Sequence, residues 1–315
     1  YASISGRALC QSVQPLHGWA RRSPGDFKRA RFSRRPDSRR DAVRALSSAA
    51  VATALPAWAT KGRADRLKRI GVQLYTVRNA LKADFDGTLR KVAAIGYQEV
   101  EFAGYMGRTP AQVKDSLKQA GLRAPAEHVD LETLEKEWGA TVEAAHTVGH
   151  EYLVVAWIDA ARRGSIEDYK RIAGIFNQLG RQANAAGLRF GYHNHAYEMA
   201  TLDGQVPYDV LLQHTDPDLV CFEMDLYWTT DGGKDPLAYF AKYPGRFPLV
   251  HVKDRTASGQ MVDVGQGTID WGAIFAHRKQ AGMKHEFVEH DEPGDPFASI
   301  TASYDYLRAL RFPNG

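Results

Sequence analysis

Ala185-Ala186-Gly187-Leu188-Arg189-Phe190-Gly191-Tyr192-His193-Asn194-His195 carries one complete structural transition of this 315-residue chain. Its first residues close a segment running from Ile166 to Ala186 whose apolar side chains recur three and four apart, the period of an amphipathic helix. Gly187 stands where such a helix turns out through left-handed backbone, and a β-rich run from Leu188 to His193 follows at once. The same phrase recurs at Ala94-Ile95-Gly96, Gln119-Ala120-Gly121 and Gln280-Ala281-Gly282, each just ahead of another β-rich run.

Eight strands are expected: Ile70 to Tyr75, Gln98 to Phe102, Leu122 to His128, Tyr152 to Trp157, Leu188 to His193, Leu219 to Asp225, Pro248 to Val252 and Glu286 to Glu289. Helical periods fill the intervals, as at Asp84 to Ile95, Thr133 to Val148, Ile166 to Ala186 and Trp271 to Ala281. Eight β-then-α units in roughly 250 residues is the arithmetic of a single (β/α)8 TIM barrel. A doubly wound open sheet would favour a glycine-rich phosphate turn after its first strand, and only Thr76-Val77-Arg78 follows Tyr75.

The barrel does not account for the whole chain. Residues 1–59 hold 11 Lys+Arg and 3 Asp+Glu, which leaves 30 and 34 for residues 60–315, so a leader of +8 precedes a body of −4. The early arginines lie among Ser, Pro and Gly with no apolar period, a composition expected to be unstructured. Ser38-Arg39-Arg40-Asp41, an alanine-rich run from Ala42 to Leu55, and Pro56-Ala57-Trp58-Ala59 then read as charged region, short apolar region and A-x-A cleavage site. This looks like a twin-arginine export signal and implies a periplasmic or otherwise exported product. An amphipathic N-terminal helix or a mitochondrial-type presequence are the other readings. The expected organisation is a leader over 1–59 and a barrel over 60–315. No apolar run is long enough to span a bilayer, so no membrane association is expected once the signal is removed. Cys10 falls in the leader and Cys221 is left alone, a small apolar residue for a strand.

In a TIM barrel the chemistry sits at the C-terminal strand ends. Here those ends read Gly191-Tyr192-His193-Asn194-His195, Phe222-Glu223-Met224-Asp225, Val250-His251-Val252-Lys253-Asp254 and Phe287-Val288-Glu289-His290-Asp291. Imidazoles and carboxylates at the mouth of an apolar barrel are expensive to bury unless they pair or bind a cation. Two His and two carboxylates from four consecutive strands point to one divalent metal ion of the Mn, Fe, Co or Zn kind.

These strand ends, with Ile70-Gly71-Val72-Gln73-Leu74-Tyr75, Glu99-Val100-Glu101-Phe102, Tyr192-His193-Asn194-His195 with Glu198, His251-Val252-Lys253-Asp254 and Gly265-Gln266-Gly267-Thr268-Ile269-Asp270, resemble the sugar phosphate isomerase/epimerase family of xylose-isomerase-like TIM barrels over residues 69–311. The resemblance implies that strands five to eight supply Glu, Asp, His and Glu to one cation, often Mn, at the positions His193, Asp225, His251 and Glu289. His193 stands where many relatives place Glu; the Tyr-His-Asn-His form resembles a subgroup. It also implies enediolate chemistry, in which a cation holds the oxygens while a base moves a proton beside a carbonyl.

Glu289 is then ligand and candidate base, Lys253 oxyanion partner or second acid, and His195 with Glu198 hydroxyl-binding groups; with His193 on the metal, the second catalytic proton carrier has to be His195, Glu198 or Lys253. Trp157, Trp228 and Tyr75 are candidates to stack on a sugar, Glu101 and His128 to contact it, and Arg255 to hold an anionic group. The expected activity is sugar isomerisation or epimerisation, the alternative a 3-keto-glycoside lyase or hydrolase or a sugar dehydratase. The expected partner is a small carbohydrate, with a homo-oligomer possible. A nucleic-acid enzyme or a non-catalytic sugar-binding barrel are rivals, and the −4 body with no basic stripe disfavours the first.

Overall fold

The computed structural model describes residues 64–314. The export signal and the boundary after Ala59 lie outside the described residues. Eight parallel strands close into a barrel: β1 (Gly71–Gln73), β2 (Glu99–Phe102), β3 (Arg123–His128), β4 (Tyr152–Val155), β5 (Arg189–His193), β6 (Val220–Asp225), β7 (Leu249–Val252) and, after a small antiparallel ribbon of β8 (Asp254–Arg255) and β9 (Met261–Val262), β10 (His285–Val288). Each barrel strand pairs with its sequence neighbour among the eight, and β1 closes on β10. All eight expected strands are present. The termination signals work as expected: Gly121 and Gly282 occupy the left-handed region at helix ends, with φ of 71° and 84°.

Two expected helices are each broken in two. Thr133 to Val148 forms Leu131–Lys136 and Trp138–Val148, parted at Glu137, and Trp271 to Ala281 forms Trp271–Ala276 and Arg278–Ala281, parted at His277. Neither junction contains Gly or Pro.

Side-chain alternation along the strands sorts the molecule into layers. Residues facing the surrounding helices join one large apolar cluster that includes Val72, Val100, Phe190, Phe222 and Val250. The opposite faces supply a separate apolar cluster of Ala126, Tyr152, Val154, Cys221, Leu249 and Phe287, which fills the barrel. Gly71 and Gly191 belong to the same inner set, and a Cβ at Gly71 would stand 2.5 Å from the Phe287 ring. Two residues further along the same faces come His128, His193, Glu223, His251 and Glu289, so the apolar plug is the floor on which the polar residues stand.

Two outward carboxylates depart from this order, Glu127, which accepts from the Tyr105 hydroxyl at 2.7 Å, and Glu286. Glu286 is buried toward the helices, its Oε1 has no hydrogen-bond partner, and Arg278 is 4.0 Å away. Burial raises its pKa from 4.5 to about 7. A carboxyl raised on folding contributes its stability below the unfolded value and loses it as pH climbs through the folded one. Glu286→Gln should therefore be more stable than the parent by about 3 kcal/mol above neutrality, with the difference vanishing in acid. Urea midpoints at the two pH values check this.

Candidate active site

The polar residues occupy two levels. At the lower level His193 lies in register with Glu223, and at the upper level Asp225 lies in register with His251. A cavity of about 730 Å³ opens above them, lined by Tyr75, Trp157, His128, His193, His195, Lys253, Glu289 and Asp291 among others.

At the upper level Lys253 Nζ stands 2.6 Å from Glu289 Oε2, 3.0 Å from Asp225 Oδ2 and 2.8 Å from Asp291 Oδ1. Burial works against this ammonium, but the three carboxylates hold its pKa well above the lysine range. Burial would likewise raise Glu289, yet Lys253 and His251 hold it well below the carboxylate range. Asp225 is the reverse case, raised to about 6 by burial despite Lys253. Its Oδ1 also accepts from the Trp228 N–H at 2.8 Å, capping the following helix.

His195 faces the same space. Burial, assisted by the Lys253 charge, lowers its pKa to about 3, and its buried Nδ1 has no hydrogen-bond partner. The ring is neutral at physiological pH, and the burial and Lys253 charge that keep it so also make it a weak proton acceptor until negative charge gathers beside it.

At the lower level His251 Nε2 stands 2.7 Å from Glu101 Oε2 and 3.2 Å from Glu223 Oε2, while its Nδ1 reaches Glu289 Oε2 at 2.8 Å. Gln73, which the sequence reading did not single out, donates to Glu101 Oε2 at 2.8 Å. Burial, with Glu223 adding, raises Glu101 to about 7; Glu223 is held well below its usual range against burial by His251 and His128.

Among the described residues two groups offer ligand atoms close enough to share a cation: Asp225, His251 and Glu289, and His128, His193, Glu223 and His251. The residues fit a divalent ion by donor chemistry, and buried Glu101 Oε1 and Glu223 Oε1 are left without partners. Of the four expected ligands, Asp225, His251 and Glu289 fall in the first group and His193 in the second, with His193 Nε2 3.7 Å from Asp225 Oδ2. The two nitrogens of His193 serve different neighbours: Nδ1 lies 3.2 Å from Glu223 Oε2, its register partner, and Nε2 faces Asp225.

Three other expected residues sit away from the cavity. Glu198 is fully buried, accepting from the Tyr192 hydroxyl and, at 2.9 Å, from the His195 N–H, so it shapes the turn that presents His195 instead of meeting substrate. Arg255 pairs with Asp231 at 3.1 Å and is not among the residues that line the cavity. Trp228 lies behind Lys253 and His195, with the ammonium 5.8 Å from its ring centre. Tyr75 and Trp157, by contrast, are 41% and 46% exposed on the cavity wall. The Arg78 guanidinium lies 4.0 Å over the Tyr75 ring and donates to Asp291 O, fixing that platform.

Glu223 was legible only through alternation. It shares a strand face with Asp225, and a carboxylate inside an apolar strand is itself a signal. The Gly265–Asp270 motif is structural. Asp254 Oδ2 accepts from Gly265 N, Gly267 N and Trp271 Nε1, and Oδ1 from Arg255 N and Ile269 N. A Cβ on Gly267 would stand 2.1 Å from Asp254 Oδ1, so only glycine admits this approach.

Residues 89–310 match the model of the xylose isomerase-like TIM barrel. The chain is 26% identical over 232 residues to inosose dehydratase of Geobacillus kaustophilus, covering 61% of this chain and 74% of that one. It is 24% identical over 268 residues to inosose dehydratase of Lacticaseibacillus casei, covering 71% and 89%. A crystal structure of a sugar phosphate isomerase/epimerase from Parabacteroides distasonis superposes with a TM-score of 0.70 at 31% identity, covering 78% of this chain and 99% of that one.

Proposed function

Because the chain belongs to the xylose isomerase-like TIM barrel family, we propose that it is a metal-dependent lyase that removes water from a cyclic keto-polyol or keto-sugar. The observation that carries this reading is the presence, in one cavity, of the neutral imidazole of His195 and the ammonium of Lys253. Elimination needs both a base for the carbon acid and an acid for the leaving oxygen. The names of the inosose dehydratase relatives favour it over isomerisation.

In this reading Tyr75 and Trp157 hold the apolar faces of the ring. His195 accepts the proton from the carbon beside the carbonyl, and the electron pair moves onto the carbonyl oxygen. Lys253 first balances that charge and then gives a proton to the β-hydroxyl. The C–O bond breaks, water leaves and a C=C bond remains; no oxidant or reductant is needed.

Asp225, His251 and Glu289 are the proposed ligands of one divalent cation, Mn by preference for a carboxylate-rich set, and Lys253 keeps Asp291 as a partner outside that group. The cation would supply Lewis-acid stabilisation of the developing oxyanion. The export signal read in residues 38–59 would place this chemistry outside the cytoplasm. Sugar isomerisation or epimerisation is the second reading, supported by the name of the Parabacteroides distasonis relative. It shares the first proton transfer and differs in returning the proton to carbon.

Turnover of a panel of keto-cyclitols and keto-sugars in heavy water tests the proposal. Products that have lost one water support the lyase; products of unchanged formula carrying solvent deuterium replace it with the isomerase.

A further inference from the structure

Apart from His251, the lower level has no role in the chemistry above. His128 of β3, His193 of β5, Glu223 of β6 and His251 of β7 each offer one ligand atom, all within 4.8 Å of one another. Glu223 Oε2 is the hub, 2.7 Å from His128 Nε2, 3.2 Å from His193 Nδ1 and 3.2 Å from His251 Nε2. Glu101 Oε2 closes the group, 3.4 Å from His128 Nε2 and 2.7 Å from His251 Nε2.

A tetrahedral cation with bonds of about 2.0–2.1 Å holds its ligand atoms about 3.3–3.4 Å apart. Glu223 Oε2 is already close to that spacing from His193 Nδ1 and His251 Nε2, at 3.2 Å each, and would have to draw back from His128 Nε2 at 2.7 Å, with all four ligand atoms inside 4.8 Å of one another. The hydrogen bonds within the cluster do not use everything it offers. Glu101 Oε1 and Glu223 Oε1 are both buried without a partner, on carboxylates that are themselves fully buried. His128 and His193 line the cavity floor, which gives an ion a way in.

We propose that this layer is a second divalent-cation site, centred on Glu223 and joined to the upper group by His251 and by His193, whose Nε2 lies 3.7 Å from Asp225 Oδ2. The two nitrogens of the His251 imidazole serve different levels, Nδ1 toward Glu289 and Nε2 toward Glu101 and Glu223, so with both ions bound it would bridge them as an imidazolate, its ring protons released to solvent. Three imidazoles and a carboxylate make a softer, nitrogen-rich site suited to Zn, Co or Fe(II), whereas the upper pair of carboxylates with one imidazole suits Mn. The competing account is a proton-charged network, in which imidazolium ions alone compensate Glu101 and Glu223. That account predicts no second ion.

The test is metal analysis of the purified chain after stripping with chelator and reloading with Co2+. The wild type should take up two equivalents. Glu223→Gln and His128→Gln should each take up one and lose the intense visible absorption of low-coordinate cobalt. Glu289→Gln should also take up one but keep that absorption. Circular dichroism melts establish that each variant is folded, and the wild-type stoichiometry is informative without them. A wild type binding a single equivalent overturns the proposal. If that equivalent disappears in Glu289→Gln, the upper site of the proposed function stands; if it disappears only in Glu223→Gln, the upper assignment falls as well.

Discussion

Glu289→Gln is expected to lower kcat/KM by about 10³-fold, within the range seen when a group central to proton transfer or metal-assisted charge stabilisation is removed. The side chain keeps its volume but loses the charge that holds Lys253 at 2.6 Å and His251 at 2.8 Å. The fold should survive, because Lys253 retains Asp225 and Asp291, and His251 retains Glu101. The loss should fall mainly on kcat, since Tyr75 and Trp157, which would carry ring binding, are untouched. Steady-state kinetics on the reloaded variant provides the check. Retention of a tenth or more of the activity would remove Glu289 from the chemistry.

Asp254→Ala should act on stability instead. The carboxylate is fully buried and accepts five hydrogen bonds, four from backbone and one from Trp271, at 2.8–3.3 Å. Deleting it strands these donors in the interior, at roughly 1–3 kcal/mol for each that water cannot reach. Since several loop donors can relax toward solvent, about 4–5 kcal/mol is expected in total, at the high end for a single substitution. Asp254→Asn should lose less but still destabilise. Its amide nitrogen must face either the three donors on Oδ2 or the two on Oδ1. Denaturant midpoints measure both, and an alanine variant within about 1 kcal/mol of the parent would show that the loop does not depend on this anchor.

The barrel was legible because its signals are local and repeated. Strand runs buried on both sides, helical periods and a glycine at the helix exit occur within a few residues of one another, and Gly187-Leu188 through His193 contains most of them. Shorter features left too little pattern to read. The two-residue strands Asp254–Arg255 and Met261–Val262 cannot show alternation, and the breaks at Glu137 and His277 carry no helix-breaking residue.

The site was legible to the level of strand ends and no deeper. Reading the last polar residue of each strand found Asp225, His251, Lys253 and Glu289. It passed over Glu223 two residues earlier, and Gln73 in a strand taken for its apolar content. Glu101 was read as a substrate contact, whereas the closed barrel brings it against His251 beneath the cavity; His128, read the same way, does line the cavity and also reaches Glu223. Such contacts depend on which strands face one another across the barrel, and that information lies in the closure, not in any one segment. Glu198 and Arg255 show the opposite error. Both lie near the right strand ends, but each already has a partner inside the fold.

The central claim is that this cavity removes a proton from carbon beside a carbonyl, and solvent-isotope exchange tests it most directly. Metal-loaded protein should be incubated in heavy water with a cyclic keto-polyol that it turns over, and the carbon next to the carbonyl followed by proton NMR. The account predicts that this C–H is lost to solvent at a rate that keeps pace with or exceeds product formation, and that the loss falls together with turnover in Glu289→Gln and His195→Gln. Turnover that leaves the original C–H intact in both recovered substrate and product would contradict it.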